Sequence, residues 1–450
     1  MFYDRPQDAR SSRALHPTRE GNQRIMKRIY TILTCLLFLP LWGGQVGFLR
    51  ADIGFRGAWI ATVANIDWPS EAAIGNPKLQ KAEMLFLLDS LQTIGINAII
   101  FQVRPTADAL YYSELEPVSH WLTGKQGSWN TPPSLEGRGG ERFFDPLEWT
   151  IEEAHKRQME VHVWLNPYRV NLAKTDTTVM CKDHIWKKHR DWFWEYNKQW
   201  YFDPGLDVTR EWICTIVQDI ISRYDIQAIH MDDYFYPYPV GKKQLPDAET
   251  FARYPRGFTD IREWRRNNVN MAIQEISATI RECKDSVEFG ISPFGVWRNA
   301  NVDSTGSATT AGITNYDDLY ADIRLWIKNG WIDYVLPQLY WEIGKKAADY
   351  EVLAHWWANE VRGTKCKLYI GMAPYRLEGA KKDSPWGQGN EIGRQMTLNR
   401  TIPEITGECF YSTRPLLRNP RGVCDTIRAT YRPVLSLPQQ DEEGELILPW

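Results

Sequence analysis

Two kinds of hydrophobic pattern alternate along the chain from residue 57 onward. Short apolar runs rich in β-branched residues are typical of buried strands, whereas apolar positions that recur every three or four residues indicate amphipathic helices. In 78–93, for example, Met84, Leu88 and Leu91 fall on one helical face. Strands are predicted at 57–65, 97–105, 160–168, 228–235, 288–295, 334–342, 367–375 and 407–416. Helices are predicted at 78–93, 146–158, 208–224, 258–283, 316–329 and 347–361.

Eight apolar strands, each followed by a long connection, predict a single α/β fold. Such connections favour parallel pairing and right-handed crossovers. Eight parallel strands close into a (β/α)8 TIM barrel, here over 51–432 with a C-terminal tail at 433–450. The alternative is a doubly wound open sheet, which usually has a Gly-rich first turn. The first predicted strand instead ends in the sequence ATVAN.

Four long insertions follow the second to fifth predicted strands, at 106–144, 170–199, 236–257 and 299–315. All four are βα loops, which lie at the C-terminal mouth of a barrel, where barrel enzymes place their active sites. The second insertion carries the aromatic cluster WFW at 192–194. The active site is therefore predicted at this mouth.

An N-terminal extension at 1–50 has the layout of a secretory signal. Lys27 and Arg28 precede a mostly apolar stretch at 29–41, which is shorter than the roughly 20 residues of a transmembrane helix. We predict export to the periplasm or outer cell envelope; the alternative is an apolar helix packed on the body. Cys35 lacks the small residues that precede a lipoprotein cysteine. Membrane association through this segment therefore requires its retention or its lipidation.

Composition narrows the function. Apolar residues make up 43% and charged residues 24% of the chain, as in globular proteins. Residues 1–50 hold 8 of the 53 basic and 3 of the 56 acidic residues, so the remaining 45 and 53 give a net charge of −8. This acidic body argues against nucleic-acid binding, which needs a basic face. The 21 Trp residues favour a carbohydrate partner, because Trp faces stack on sugar rings, with use in the core as the alternative.

Sequence motifs for a cofactor or a metal ion are missing. The six cysteines after residue 50 are scattered without a C-x-x-C, and their disulfide pairing is open among 15 arrangements. His184 and His189 have no third ligand nearby in the sequence. Neither a phosphate-binding Gly loop nor a G-x-S-x-G occurs. No cofactor and no metal ion are expected.

Two adjacent acids end the fourth predicted strand, in the sequence AIHMDDYF at 228–235. An apolar strand that stops at Asp232 and Asp233 places carboxylates at the barrel mouth. By alternation His230 and Asp232 share one face and Asp233 lies on the other, unless the strand has begun to turn. Both acids are predicted to be catalytic; the alternative is that one of them caps a helix or holds a loop.

The sixth predicted strand brings further candidates to the mouth. Gln338, Tyr340 and Glu342 fall on one face by alternation. Glycoside hydrolysis uses one carboxylic acid that protonates the leaving oxygen and a second carboxylate that acts as nucleophile or activates water. Glu342 is therefore predicted as a second catalytic carboxylate, with a solvated residue at a helix start as the alternative. Gln338 and Tyr340 are predicted to orient the substrate or the carboxylates.

Other residues at the ends of predicted strands suit substrate binding. Arg104 is suited to hold a carboxylate or an anionic substrate group, or else to form a structural ion pair. Asn166 and Tyr168 follow an apolar run and suit hydroxyl binding. Stacking on sugar rings is predicted for three tryptophans, Trp68, Trp297 and Trp341.

Seven ordered motifs span the predicted barrel. They are RGAW at 56–59, FQVR at 101–104, FDPL at 144–147, WLNPYR at 164–169, HMDDYFYP at 230–237, SPFGVWR at 292–298 and PQLYW at 337–341. Together they resemble the glycosyl-hydrolase-like family ten, once called a domain of unknown function, and the resemblance runs from Arg56 to Tyr411. It implies a (β/α)8 barrel exported by bacteria and a glycosidase, with family members acting on peptidoglycan glycan strands freed of their peptides. It also carries the paired acids over to Asp232 and Asp233.

We therefore expect hydrolysis of a β-linked amino-sugar polysaccharide. In one mechanism Asp232 or Asp233 pairs with Glu342. In a second, the N-acetyl group of the substrate attacks the anomeric carbon, one of the adjacent acids protonates the leaving group, its neighbour steadies the oxazolinium, and Tyr340 positions the acetamide. The alternatives are a non-catalytic glycan-binding barrel of the cell envelope, hydrolysis of another polysaccharide and, least favoured, an esterase or lyase.

Overall fold

The computed structural model describes residues 53–127, 144–172, 180–435, 439–440 and 446–447. The predicted signal segment at 1–50, with Cys35, lies outside these residues, as do 128–143 and 173–179 within two of the long loops. In the part of the chain that is described, no helix has the length and apolar character needed to cross a membrane.

The fold is built around a closed barrel of eight parallel strands. In chain order the strands are β1 (Phe55–Ile60), β2 (Ala98–Arg104), β3 (Glu160–Leu165), β4 (Ala228–Met231), β5 (Glu288–Ile291), β6 (Tyr334–Val335), β7 (Lys367–Met372) and β8 (Ile405–Phe410). Each strand pairs with its neighbours in chain order, and β1 closes the barrel against β8, with Ala58 opposite Phe410. The predicted (β/α)8 TIM barrel is confirmed, and each predicted strand overlaps an observed one.

One main helix follows each strand. The helices are α1 (Pro77–Thr93), α2 (Pro146–His155), α3 (Asp207–Arg223), α4 (Ile261–Cys283), α5 (Ile323–Lys328), α6 (Tyr350–Val361), α7 (Glu391–Asn399) and α8 (Val423–Leu435). Asp145 caps α2, because its side chain accepts hydrogen bonds from the backbone N–H groups of Leu147 and Glu148. The predicted helix at 316–329 is interrupted where Tyr320 adopts a φ of 55°, since a left-handed residue breaks a right-handed helix.

The connections carry additional short elements. An antiparallel hairpin, Phe193–Tyr196 with Gln199–Phe202, lies in the β3–α3 connection. Short α-helices lie at His120–Thr123, Ile185–Lys188, Ala248–Arg253, Asn315–Asp318 and Thr413–Arg418. Single turns of 3-10 helix lie at Val63–Asn65, Glu71–Ala73, Arg190–Trp192, Pro374–Leu377, Trp386–Gln388 and Pro420–Gly422. The four long insertions are confirmed as βα connections.

Large aromatic side chains fill the inside of the barrel. Trp59, Trp164, Tyr334 and Tyr369 belong to one buried cluster. Gly290 lies opposite Tyr334 in the ladder, and a Cβ atom at residue 290 would lie 1.8 Å from a carbon of the Tyr334 ring. A glycine at this position therefore gives the Tyr334 ring its room inside the barrel.

After β8 the chain is described continuously as far as Leu435. Helix α8 ends at Leu435, near the predicted end of the barrel at 432. Within the predicted tail at 433–450, Gln439–Gln440 pairs antiparallel with Leu446–Ile447, and the other tail residues after Leu435 lie outside the described ranges. The six cysteines of the described residues are all free.

Candidate active site

A cavity of about 180 Å³ opens at the carboxyl ends of the barrel strands. Its walls come from six of the eight strands or from residues that directly follow them. They are Trp59, Trp164, Asp232, Asp233, Tyr234, Ser292, Gln338, Tyr340 and Tyr411. Of the predicted site residues, the structure thus brings together Asp232, Asp233, Gln338 and Tyr340.

The two adjacent acids both line this cavity. Strict alternation would send their side chains to opposite faces of a strand. Strand β4 ends at Met231, however, so the chain has already begun to turn at Asp232 and Asp233. Each acid is only 4% exposed. Two carboxyl groups adjacent in sequence therefore share one confined site.

Asp232 is held by three hydrogen-bond donors. Its carboxylate accepts from Trp164 Nε1 at 3.1 Å, from Asn166 Nδ2 at 3.3 Å and from the backbone N–H of Tyr234 at 3.2 Å. Burial raises the pKa of Asp232, while the positive charge of Arg169 and the three hydrogen bonds lower it in part. Asn166, which is fully buried, thus helps to orient the carboxylate of Asp232.

Asp233 lies in a different environment. Its carboxyl group accepts a hydrogen bond from the hydroxyl of Tyr238. Burial and the neighbouring charge of Asp232 raise the pKa of Asp233 to about 7, although hydrogen bonds from Tyr238 and Gln338 act in the opposite direction. Near neutral pH, Asp233 is therefore the acid that carries a proton, beside a neighbour whose donors and cation favour the carboxylate.

Arg169 is a partner of the site that the sequence analysis missed. Its guanidinium donates to the carbonyl oxygen of Pro105 through Nε at 3.1 Å and Nη2 at 2.9 Å. The guanidinium carbon also lies 5.2 Å from the centre of the Tyr234 ring. The sequence signal was available, because Arg169 is the last residue of the WLNPYR motif that contains Asn166.

Gln338 and Tyr340 complete the polar side of the cavity. Gln338 Nε2 donates to the backbone oxygen of Ser292 at 2.9 Å. The Tyr340 ring lies 6.0 Å from the rings of both Tyr375 and Tyr411. Burial raises the pKa of Tyr340 well above its ordinary value, so its hydroxyl keeps its proton and remains a hydrogen-bond donor.

Glu342, predicted as a second catalytic carboxylate, does not line the cavity, so the structure does not bring it together with Asp232 and Asp233. Its carboxylate accepts from Trp386 Nε1 at 2.9 Å and pairs with Lys345 at 3.1 Å. The prediction extended the alternation of the sixth strand as far as residue 342, but β6 ends at Val335. A period of two cannot assign a face to a residue beyond the strand.

Arg104 and Tyr168, both predicted to bind substrate, lie outside the cavity wall, so the structure does not bring them together with the acid pair. Arg104 is 1% exposed and pairs with Glu116 through Nε at 2.7 Å and Nη2 at 2.6 Å. It thus forms the structural ion pair that was the alternative. Tyr168 is also 1% exposed and lies in the main hydrophobic cluster.

Two of the predicted stacking tryptophans are buried elsewhere. Trp68 is 1% exposed, and its Nε1–H donates to the backbone oxygen of Gln80 at 3.0 Å. Trp297 is 5% exposed and stacks on Trp356 with ring centres 5.9 Å apart. Both rings thus pack within the protein and lie outside the cavity wall, so the structure does not bring them to the site.

Trp341 is half-buried and lies outside the cavity wall. Its ring packs edge-on against Phe294, with centres 5.4 Å apart. The tryptophans that do line the cavity are Trp59 and Trp164, which lie within the barrel strands rather than after them. Sequence composition indicated tryptophan as a residue type without separating core rings from cavity rings.

The chemistry available in this cavity is that of carboxyl and phenol groups. Asp233 can deliver a proton near neutral pH, and the carboxylate of Asp232 can stabilise a developing positive charge. Both abilities are required at a scissile glycosidic bond, where the leaving oxygen needs a proton and the sugar becomes cationic. Across the described ranges, no three His, Cys, Asp or Glu side chains are grouped to hold a metal ion.

Comparison with known proteins gives consistent matches. Residues 54–388 match the family model described as glycosyl hydrolase-like 10. Glycosyl hydrolase YngK of Bacillus subtilis (strain 168) is 46% identical over 379 residues, which cover 84% of this chain and 72% of that protein. Glycosyl hydrolase DigH of Escherichia coli (strain K12) is 40% identical over 374 residues, which cover 79% of this chain and 82% of that protein.

Among solved structures, the PgaB (BpsB) glycoside hydrolase domain from Bordetella bronchiseptica is similar with a TM-score of 0.49 and 10% sequence identity, over 85% of this chain and 98% of that one. The family model matches residues 54–388, which cover most of the barrel, and the two curated relatives are 46% and 40% identical to this chain over the aligned residues. The resemblance inferred from seven motifs is thereby confirmed. The chain belongs to the glycosyl hydrolase-like 10 family and is a glycoside hydrolase.

Proposed function

We propose that this glycoside hydrolase cleaves an amino-sugar glycan by substrate-assisted catalysis, with peptide-free peptidoglycan strands as its substrate. The observation that carries the proposal is the pair Asp232 and Asp233, which line one cavity in different electrostatic environments, while Glu342 lies outside it. With no second carboxylate from another strand among the lining residues, the acetamido oxygen of the substrate is the nucleophile at hand.

In the first step the acetamido carbonyl oxygen attacks the anomeric carbon as the bond from that carbon to the leaving oxygen breaks. The proton of Asp233 passes to the leaving oxygen. The carboxylate of Asp232 accepts the acetamido N–H and stabilises the oxazolinium cation, and Tyr340 donates to the acetamide oxygen. In the second step water attacks the anomeric carbon as the bond from that carbon to the acetamido oxygen breaks, which opens the oxazolinium ring. The water gives a proton to the Asp233 carboxylate, and the product keeps the anomeric configuration of the substrate.

The negative charge of the protein favours a glycan strand without peptides as the substrate. The chain after residue 50 carries a net charge of −8, and the nine cavity-lining residues include two acids and neither Lys nor Arg. Acidic stem peptides would find no Lys or Arg in this cavity wall to pair with. The same proposal places the enzyme in the periplasm or outer cell envelope, where peptidoglycan lies, in agreement with the signal pattern at 1–50.

The first test is incubation of the purified protein with peptide-free peptidoglycan strands, intact sacculi and chitin oligomers, with products identified by mass. We expect discrete fragments from the bare strands, and losses of at least about 100-fold for Asp232→Asn and Asp233→Asn. Asp225→Asn, at an exposed ion pair with Lys284, is the matched control and should retain full activity. If only the chitin oligomers were cleaved, the proposal of peptidoglycan strands as the substrate would be wrong.

The second test addresses the nucleophile. Substrates with N-acetyl, N-fluoroacetyl and N-trifluoroacetyl groups should be cleaved at steeply decreasing rates, because fluorine withdraws electrons from the attacking carbonyl oxygen. The product first released should have the retained configuration at the anomeric carbon. Equal rates across the series would show that the acetamido oxygen does not attack, and a trapped glycosyl ester on Asp232 would identify that carboxylate as the nucleophile.

A further inference from the structure

A chain of hydrogen bonds crosses the inside of the barrel from the cavity to its opposite end. Ser292 lines the cavity, and its Oγ lies 3.1 Å from His230 Nε2. His230 Nδ1 lies 2.8 Å from the Tyr334 hydroxyl, which lies 2.9 Å from His162 Nδ1. His162 Nε2 reaches the Glu160 carboxylate at 3.3 Å. Glu160 is the first residue of β3 and its side chain is 54% exposed, so the chain ends at solvent.

When both imidazole rings are neutral, counting protons gives this chain one direction. The hydrogen bond from His162 lowers the pKa of Glu160, so the Glu160 carboxylate accepts and His162 carries its proton on Nε2. The bare Nδ1 of His162 then accepts the phenol proton of Tyr334. Tyr334 has no second proton, so its oxygen accepts from the Nδ1–H of His230. The bare Nε2 of His230 accepts from the hydroxyl of Ser292.

Burial keeps His230 and Tyr334 in this state. Ser292, His230, Tyr334 and His162 are each at most 1% exposed. Burial lowers the pKa of His230 well below its ordinary value and raises that of Tyr334, so the His230 ring stays neutral and the phenol keeps its proton. A buried polar chain is stable when each donor has an acceptor, and here each one does.

We propose that Ser292 binds the substrate as an obligate hydrogen-bond acceptor, and that His230, Tyr334 and His162 are positioning residues that impose this polarity. The inference rests on the proposed assignment of the cavity as the active site. Because the only hydroxyl proton of Ser292 is directed to His230, the lone pairs of Oγ are left for the cavity. The sugar bound there must therefore present an O–H or N–H group to Ser292, which selects against analogues without that donor.

The polarity itself is tested by ¹⁵N NMR of the full chain labelled on histidine. Protonated and bare ring nitrogens have distinct chemical shifts, and His230→Gln and His162→Gln assign the two rings. We expect the proton of His230 on Nδ1 and that of His162 on Nε2. A His230 ring with its proton on Nε2 would overturn the proposal, because Ser292 would then accept from His230 and direct its own proton into the cavity.

Kinetics on peptide-free peptidoglycan strands test the consequence for binding. Ser292→Ala should reduce kcat/KM about tenfold, mainly through KM, as expected for one lost hydrogen bond. Tyr334→Phe should cause a similar loss, and the double variant should be no worse than either single one, because Tyr334 acts through Ser292. Tyr369→Phe removes a hydroxyl from the ring beside Tyr334 and should retain full kcat/KM. Additive losses from Ser292 and Tyr334 would overturn the positioning role.

The two tests separate this inference from the proposed function. If the wild-type protein leaves the bare strands intact, the proposed substrate is wrong, whereas the histidine tautomers still decide the polarity of Ser292. The kinetics of the Ser292 and Tyr334 single and double variants are then measured on whichever glycan the wild type cleaves. Loss of activity in Ser292→Ala together with a lowered melting temperature would show that the hydroxyl is structural and would overturn its role in substrate binding.

Discussion

Replacement of Asp233 by Asn should change activity and stability in opposite directions. The substitution keeps the shape of the side chain and an oxygen that can accept the hydroxyl proton of Tyr238. It removes the proton that Asp233 is proposed to deliver, so kcat should fall by about 10²–10⁴-fold. It also removes the negative charge that Asp233 carries in a buried site at alkaline pH, and this should stabilise the fold.

The size of the stability gain follows from the pKa. Burial and the charge of Asp232 raise the pKa of Asp233 from 3.8 to about 7, so the folded state binds this proton more tightly than the unfolded state does. A raised acid pKa stabilises the fold at pH values below 3.8, and the benefit is lost as the pH rises towards 7. The full rise is worth about 4 kcal/mol, of which about 3 kcal/mol is lost between pH 5 and pH 8. The amide of the Asp233→Asn variant does not titrate, so the variant is free of this loss.

The assay is the unfolding transition of wild type, Asp233→Asn and the control Asp225→Asn, each measured at pH 5 and pH 8. The advantage of Asp233→Asn over wild type should be larger at pH 8 by up to about 3 kcal/mol. The control removes an exposed carboxylate whose pair with Lys284 is worth at most about 1 kcal/mol. If the stability of Asp233→Asn relative to wild type were the same at pH 8 as at pH 5, the argument would be refuted, since Asp233 would then have an ordinary pKa in the folded state.

Three further substitutions test separate parts of the structure. Tyr238→Phe removes a hydrogen bond that lowers the pKa of Asp233, so the alkaline limb of the profile of kcat/KM against pH should move up by about one unit; a downward move would contradict the assignment of Asp233. Glu342→Gln should leave kcat within a few-fold of wild type in the same assay, whereas a loss of about 100-fold would restore Glu342 as a catalytic carboxylate. Gly290→Ala places a Cβ against the Tyr334 ring and should destabilise the fold by about 3 kcal/mol or more; an unchanged melting temperature would show that the ring moves aside.

The barrel could be predicted because its strands are buried on both faces. Such strands appear in the sequence as continuous apolar runs, and eight runs separated by helical patterns leave few other folds. The same reasoning predicted a site at the mouth, where the structure has the candidate cavity, since polar residues that end an apolar strand lie at the carboxyl edge. Asp232 and Asp233 were found by this reasoning.

The individual side chains were harder to predict, for two physical reasons. Alternation holds only within a strand, and β6 ends at Val335, so it could not place Glu342. Burial of a tryptophan is decided by its tertiary partners, such as the Gln80 carbonyl that receives the Nε1–H of Trp68. The motif WLNPYR contains Arg169 but did not assign it a role, because its effect on Asp232 is electrostatic and depends on a distance that the motif does not encode.

Strand β4 contributes a side chain to the barrel interior and leads directly into the acid pair. TIM-barrel interiors are dominated by branched apolar side chains, yet β4 contributes His230 to a buried polar chain two residues before Asp232. The same strand end therefore carries both the proposed acids and the ring that orients Ser292. A change at Tyr334, which is separated from Ser292 by the His230 ring, should consequently alter substrate binding without altering the pKa that sets the alkaline limb. A change in KM without a shift of the pH profile would thus identify an effect of the buried hydrogen-bond chain. A shift of the alkaline limb would identify an effect on the carboxyl pair.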